Sequence, residues 1–468
     1  MNYCLRRSIK LKASRIGAIN ISNMLLQKAP MILSIVPSLF LQILVAGNIT
    51  VNGALTSEPL ATAITVQEQE PSAGLALSSS GAKKLIAKAF QGKANERADA
   101  RATLLATRDE DLKHIANALA KGVFVPDSAH KKLAGKEISI DVDIVDGAQA
   151  TGEFILQIPK KYKGSKPFPL LFRFHGSGDT GKEFAEWSHS SIFEDYLTVI
   201  PTVPTEKRMS WSADGGKQLF DAIYRHMLNN FNVDTDRVYL SGYSAGGAAA
   251  FFLAQYYPHR TAAIVARGRL WWKHNEAKEA SMNILDYVPG YFLSGLDDKE
   301  DRVEGFRTAE AYYDQHGMPG EFRFVKSRGH EYMPEFTKEA FRYVSKKKRV
   351  LYPHAFDGYL ISYKGEDASR LALSEQYWLR GLNYKYLGTP FRVEVDGNTI
   401  TIQGEDLYHA QLFLNDEIVN MDEPVRVLLN GAVKFEGIVP RSAEFILNWF
   451  EQNRDPNRLF WNQIEVKQ

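Results

Sequence analysis

The sequence predicts an α/β protein built on a mostly parallel, doubly wound sheet, and three observations carry that expectation. Between about 136 and 349, short apolar runs alternate with stretches of helical periodicity. Several of those runs are continuously apolar, as strands covered on both faces must be. One of them ends in "SGYSAGG", where Gly242, Ser244 and Gly246 fit G-x-S-x-G at a strand-to-helix junction.

Taken in chain order, the first element is a basic segment with Arg6, Arg7, Lys10, Lys12, Arg15 and Lys28, merging into the uncharged run "APMILSIVPSLFLQILVAG". No Asp or Glu precedes Glu58. Basic, then apolar, then small residues is the order of a secretory signal, and a start at Met24 would give it a more ordinary length. Pro30, Pro37 and Gln42 weaken a spanning helix, so residues 1–57 are expected to be a signal peptide, with a retained membrane segment as the alternative. The single cysteine, Cys4, falls in this segment, so the mature chain is expected to lack disulfides, a thiol nucleophile and thiolate metal ligands. An exported protein without disulfides points to a bacterial cell envelope. The length of 468 residues suggests two or three domains, and a net charge of +2 gives no cue for nucleic acid.

Residues 58–135 read as a linker and a helical region. "TVQEQEPSAGLALSSSG" (65–81) is polar and rich in Ser and Gly. Leu85, Ile86, Ala89 and Phe90, then Leu104, Leu105, Leu112, Ile115 and Leu119, recur at helical spacing. These helices are expected to pack against the domain that follows. Residues 136–349 hold the strands "EISIDVDIV", "GEFILQIP", "FPLLFRF", "YLTVIPTV", "RVYLSG", "TAAIVA", "YVPGYFLSG" and "EFRFVKS". The helical patterns "FDAIYRHMLNNF" and "GGAAAFFLAQYY" lie between them. "SKKKR" (345–349) reads as a solvated helix end at a domain boundary. Residues 350–468 change grammar, to short strands punctuated by Asp-Gly, Asn-Asp and Asn-Gly turns, with a last helix "SAEFILNWFEQN". They are expected to form a separate, mostly β module.

The chemistry starts at Ser244. A sharp strand-to-helix turn pushes its hydroxyl out of the sheet, and the flanking glycines avoid a clash there. The helix start also places the Ala245 amide near an oxyanion formed at Ser244. Such a nucleophile needs a base and an orienting acid, each at a later strand end in the order Ser, Asp, His. "YFLSGLDDKED" offers Asp297, Asp298 and Asp301, and "EFRFVKSRGHEY" offers His330.

The stretch "FHGSGDTGKE" (174–183) has two readings. Gly176, Gly181 and Lys182 fit most of a phosphate-cradling G-x-x-x-x-G-K-[ST] loop. His175, Gly176 and Gly178 fit H-G-x-G, which supplies an oxyanion-hole amide. Glu183 stands where the first reading needs a magnesium-holding hydroxyl, and its carboxylate would repel phosphates. The stretch is therefore read as an oxyanion loop, with the amide near Ser177 complementing that of Ala245.

"FRFHGSGDTG", "YLSGYSAGG", "SGLDD" and "RGHE" together resemble the α/β-hydrolase superfamily. Within it they look like the branch that holds polyhydroxybutyrate depolymerase-like, feruloyl and acetylxylan esterases. The resemblance covers about 136–349 and implies an α/β-hydrolase fold. It also implies that the acid follows G-x-x-D, which aligns Gly295 with Asp298. The C-terminal module more loosely resembles an extension of unassigned function on exported bacterial hydrolases. "RGRLWWKHN" (267–275) departs from the branch.

The expected function is an exported serine esterase with Ser244, His330 and Asp298 as triad and no cofactor or metal. Small-molecule or polysaccharide-linked esters are the expected substrates. No nucleic-acid partner is expected, and a membrane contact only if the N-terminal segment is retained. His175, Tyr243, Trp211, Trp271 and Trp272 are candidate substrate-facing residues. The tryptophans have an equally plain reading as packing of a lid or a domain contact, as does Trp187. Two rivals are a peptidase of prolyl-oligopeptidase type and a non-catalytic binding protein on a hydrolase scaffold.

Overall fold

The computed structural model describes residues 74–123, 132–144, 151–203, 211, 214–270, 285–360, 375–384 and 389–468. The N-terminal basic and apolar segment, Cys4, Trp271 and Trp272 lie outside the described residues.

The eight apolar runs are eight strands: β1 (Glu137–Asp143), β2 (Thr151–Gln157), β3 (Phe168–Phe174), β4 (Leu197–Thr202), β5 (Val233–Tyr243), β6 (Ala263–Arg267), β7 (Gly290–Gly295) and β8 (Gly320–Val325). They pair in the order β1-β2-β4-β3-β5-β6-β7-β8, a mostly parallel sheet as expected. Pairing is antiparallel around β2 and parallel from β4 across to β8. Side chains alternate between two apolar layers, as period two requires. Leu170, Phe172, Leu240, Ile264 and Phe292 enter one layer, and Leu171, Tyr239, Val265 and Leu293 enter the other.

Three short helices precede the sheet: α1 (Ser79–Gln91), α2 (Ala94–Leu105) and α3 (Leu112–Leu119). Those within and after it are α4 (Gly181–Trp187), α5 (Asp214–Asn230), α6 (Ala245–Tyr256), α7 (Glu300–His316) and α8 (Thr337–Val344). In α5, Leu219, Phe220, Ile223, Tyr224, Met227 and Leu228 form one apolar stripe against the sheet. The helix α6 is apolar all round and is buried from Gly246 to Tyr256.

Beyond the sheet come a five-stranded and a four-stranded sheet. The first has the order β16 (Ala432–Gly437), β15 (Val425–Leu429), β13 (Thr399–Gln403), β12 (Thr389–Asp396) and β9 (Ala355–Leu360). The second has the order β10 (Glu375–Gln376), β11 (Leu379–Tyr384), β14 (Leu407–Leu414) and β17 (Asn462–Lys467). Asn430 and Gly431, between β15 and β16, both have positive φ (51° and 81°), which a tight two-residue hairpin turn demands. The last helix is α9 (Ala443–Asn453).

Two expectations are corrected here. The helices α1 to α3 pack on this C-terminal region. Ile86, Leu104, Ile115 and Leu119 share a core with Leu447, Trp449 and Phe450, and Phe90 meets Phe450 edge-on at 5.0 Å. The large sheet is packed by its own helices α5 and α6, whereas Leu447, Trp449 and Phe450 of α9 complete the core of α1 to α3. In "SKKKR", Lys346 and Lys348 are exposed, but Arg349 is buried. It is bidentate to Asp455 (2.7 and 2.8 Å) and also donates to Asp236, Thr235 and the His259 carbonyl.

Candidate active site

The strand β5 runs straight into α6 through Ser244, whose φ of 54° is left-handed. That turn brings backbones into contact where no Cβ fits. A Cβ on Gly242 would lie 2.0 Å from the Gly246 carbonyl oxygen, and one on Gly246 would lie 1.9 Å from that of Phe174. The strained conformation is held by the surroundings, with the Ser244 amide donating to the Arg267 carbonyl (2.8 Å).

The strand ends of β7 and β8 bring the other two residues alongside. The Ser244 hydroxyl lies 2.8 Å from His330 Nε2, and His330 Nδ1 lies 2.6 Å from Asp298 Oδ2. Both distances are hydrogen-bonding ones. The Asp298 side chain is 2% exposed and its other oxygen accepts from the Lys299 amide (2.7 Å) and Arg302 (2.9 Å). Burial pushes its carboxyl up, but the bonds from His330 and the Lys299 amide, with the charges of His330 and Arg302, outweigh this and hold it below the usual range. Asp297 is exposed, its amide tied to the Arg328 carbonyl, and only Asp298 reaches the imidazole. Arg302 escaped the sequence reading, although its place one helical turn past Asp298 was a usable signal.

The H-G-x-G loop lies against the elbow. A Cβ on Gly176 would sit 3.5 Å from Ser244 Cβ. Ser177 follows, exposed, and Ala245 opens α6, so its amide has no acceptor within the helix. The rest of the stretch is a capping box. Thr180 Oγ1 accepts from the Glu183 amide (3.2 Å), and the Glu183 carboxylate accepts from the Thr180 amide (2.9 Å). Glu183 thus starts α4, a role the sequence reading did not assign.

His175 and Trp211, candidates for substrate contact, are both buried. His175 is 3% exposed; its Nδ1 donates to the Gly176 carbonyl (2.7 Å) and its Nε2 accepts from the Val203 amide (3.3 Å). Burial pushes the His175 imidazole below its ordinary range despite the bond to Gly176. Trp211 is buried too, donating to the His175 carbonyl (3.1 Å) and packing on Phe174 and His175. The motif names the loop, but not the direction of its ring, and here both rings brace the loop from below. Tyr243 stands beside His330, its ring 5.2 Å from that of His330 and its hydroxyl donating to the His330 carbonyl (2.7 Å). Trp187, 46% exposed, stands beside Tyr243 and Tyr332. Among the described residues no group of three or more His, Cys, Asp or Glu could hold a metal ion.

No family model matches the chain. A probable feruloyl esterase C of Aspergillus flavus is 26% identical over 110 residues, which is 22% of this chain and 40% of that protein. The protein of the same name from Aspergillus oryzae matches to the same extent. The chain thus spans 40% of the length of these curated relatives. Among solved structures, a thermostable esterase is 16% identical, with 46% of this chain and 63% of that one covered at a TM-score of 0.38. A feruloyl esterase module from Clostridium thermocellum, complexed with sinapinate, is 13% identical, with 49% and 96% covered at a TM-score of 0.37. An S-formylglutathione hydrolase from Agrobacterium tumefaciens is 15% identical, with 46% and 96% covered at a TM-score of 0.38. Strand order, the elbow at Ser244 and the curated relatives together mark a chain that resembles the esterases of the α/β-hydrolase type.

Proposed function

We propose that this chain is an exported serine hydrolase that cleaves carboxylic esters through Ser244, His330 and Asp298. The observation that carries the reading is the unbroken hydrogen-bond chain from Asp298 through His330 to Ser244, at 2.6 and 2.8 Å, on a strained elbow. Ser244 attacks the ester carbonyl while His330 Nε2 takes its proton and then passes it to the departing alcohol. Asp298 fixes the imidazole tautomer and stabilises the imidazolium. The amides of Ala245 and Ser177 receive the tetrahedral oxyanion, each contributing about 3 kcal/mol. Water then attacks the acyl-enzyme with His330 as base, returning Ser244.

The substrate class follows from two supports. The curated relatives are named for feruloyl esters. The exposed face of Trp187 beside Tyr243 offers a surface on which an aromatic acyl group or a sugar ring can stack. Trp271 and Trp272, which follow β6 in the sequence and lie outside the described residues, are further candidates. Residues 136–349 are the proposed catalytic domain, 58–135 its helical lead-in and 350–468 an added β-rich module. Export rests on the basic and apolar order of residues 1–57. No helix among the described residues is long and apolar enough to cross a membrane.

The test is hydrolysis by purified protein of p-nitrophenyl acetate, feruloylated and acetylated xylan fragments, and an aminopeptidase-type anilide. Ester turnover that disappears in Ser244→Ala, with the anilide untouched, is expected. Anilide cleavage would favour a peptidase, and no turnover of any of them would leave a binding protein.

A further inference from the structure

His330 sits on a loop whose backbone is bracketed by left-handed residues, Ser327 and Met333 (φ 57° and 53°). Such a conformation persists only when neighbours impose it. Before His330 the loop is tied to the end of β7. The Arg328 carbonyl accepts from the Asp297 amide (2.8 Å), and a Cβ on Gly295 would lie 2.3 Å from the carbonyl oxygens of Arg328 and Gly329. At His330 itself the tie passes to another strand, β5.

That tie is Tyr243. It closes β5, pairs with Arg267 of β6 and immediately precedes Ser244. Its hydroxyl donates to the His330 carbonyl at 2.7 Å, and its ring lies 5.2 Å from the imidazole with 31° between the two planes. Burial, helped by the Asp298 charge, pushes the phenol above the ordinary tyrosine range, so it keeps the proton it donates. Gly268, the residue after β6, borders both rings. It has a φ of 71°, and its amide donates to the Leu293 carbonyl (2.9 Å). A Cβ there would lie 3.0 Å from His330 Cε1 and 3.3 Å from His330 Nδ1 and from Tyr243 Cε2. The missing side chain is what leaves room for the imidazole.

We infer that Tyr243 is a positioning residue that clamps His330 to the strand carrying Ser244, in a slot that Gly268 leaves open. The role rests on the reading of Ser244 and His330 as nucleophile and base. The two are 86 residues apart in the chain, and the clamp joins them through one hydrogen bond from the residue next to the nucleophile. A general base must stay within hydrogen-bond reach of the proton it takes, and a displacement of about 1 Å costs about 10²-fold in rate. Loss of one tether among several should cost less. A substrate contact at Tyr243 would instead act on KM, so the two roles leave different kinetic marks.

The test is Tyr243→Phe in the full chain, which keeps the ring and removes the bond. On p-nitrophenyl acetate, kcat should fall about tenfold with KM within about twofold. Hydrogen–deuterium exchange of peptides covering 326–333 should quicken about tenfold, while those covering β5 and β7 stay as in the wild type. Gly268→Ala, which drives a methyl group at the imidazole, should also lower kcat and leave KM unchanged. An unchanged kcat in Tyr243→Phe overturns the clamp, and with a raised KM it makes Tyr243 a substrate contact instead. Wild-type exchange at 326–333 in Tyr243→Phe overturns it equally, and wild-type kcat in a folded Gly268→Ala overturns the slot. Exchange needs no turnover, so a wild type that cleaves no ester sinks the esterase reading while the exchange alone decides the clamp.

Discussion

Two charged networks in this molecule are built from similar groups and behave oppositely. At the rim of the large sheet, Asp298 is 2% exposed and its partner His330 26% exposed. At the junction with the C-terminal region, Arg349 is wholly buried and Asp455 only 6% exposed. The rim network ends in an imidazole whose Nε2 faces a hydroxyl with a proton to give. The junction network centres on a guanidinium that cannot titrate and whose donors go to Asp455, Asp236, Thr235 and the His259 carbonyl. One network is left open at an end, where the proposed reading needs a proton to move. The other is closed so that two cores stay joined.

Breaking the rim network should have the largest effect on rate and little on folding. Asp298→Asn should lower kcat by about 10⁴-fold, while Asp297→Asn stays within about threefold, both at unchanged melting temperature. Equal losses would remove the distinction between the two carboxylates. Breaking the junction should do the reverse. Asp455→Ala leaves Arg349 buried and unpaired and should cost about 3–5 kcal/mol in denaturant unfolding, with the kcat of the surviving folded protein little changed. Burial raises the Asp455 carboxyl, but Arg349, Thr235 and Arg458 outweigh it and hold it low. Its contribution is therefore present above the ordinary carboxylate range and lost as pH falls through the lowered value. A junction whose stability is unchanged into strong acid would contradict this.

Smaller effects sharpen the comparison. Thr180→Ala removes one half of the capping box that starts α4 and should cost about 1 kcal/mol by thermal unfolding. Because α4 ends at Trp187, ester KM should rise more than kcat falls. Among the described residues Asp286 is neither partnered like Asp298 nor bridged like Asp455; burial, helped by Asp357, pushes it up to about 6. It costs stability as pH rises through that value. Asp286→Asn should therefore gain about 1 kcal/mol or less near pH 8, after discounting for its partial exposure, and nothing near pH 4. A gain at both pH values would assign the effect to packing.

What the sequence made legible follows from the range of each interaction. The eight strands and the elbow were readable because apolar runs and G-x-S-x-G are local patterns. Ser244, Asp298 and His330 were readable because chain order and strand ends constrain them. Arg349 was misread as part of a solvated basic run, since its partner Asp455 is over a hundred residues away. The partner of α1 to α3 was missed for the same reason, because their apolar spacing says that they pack but not on what. His175 and Trp211 were offered as substrate contacts because a motif marks a backbone path without marking where its rings turn. The buried Arg173 and Arg267 had a local signal, a charge inside the apolar runs "FPLLFRF" and "AIVAR", but the groups they donate to, Ser188 and Thr337, are set by the fold.

The most direct measurement is reaction of the purified chain with a fluorophosphonate, followed by peptide mass mapping. A single adduct on Ser244, lost in Ser244→Ala and strongly slowed in His330→Ala, is expected. Unmodified Ser244, or labelling that survives both substitutions, would contradict the nucleophile and the relay behind it.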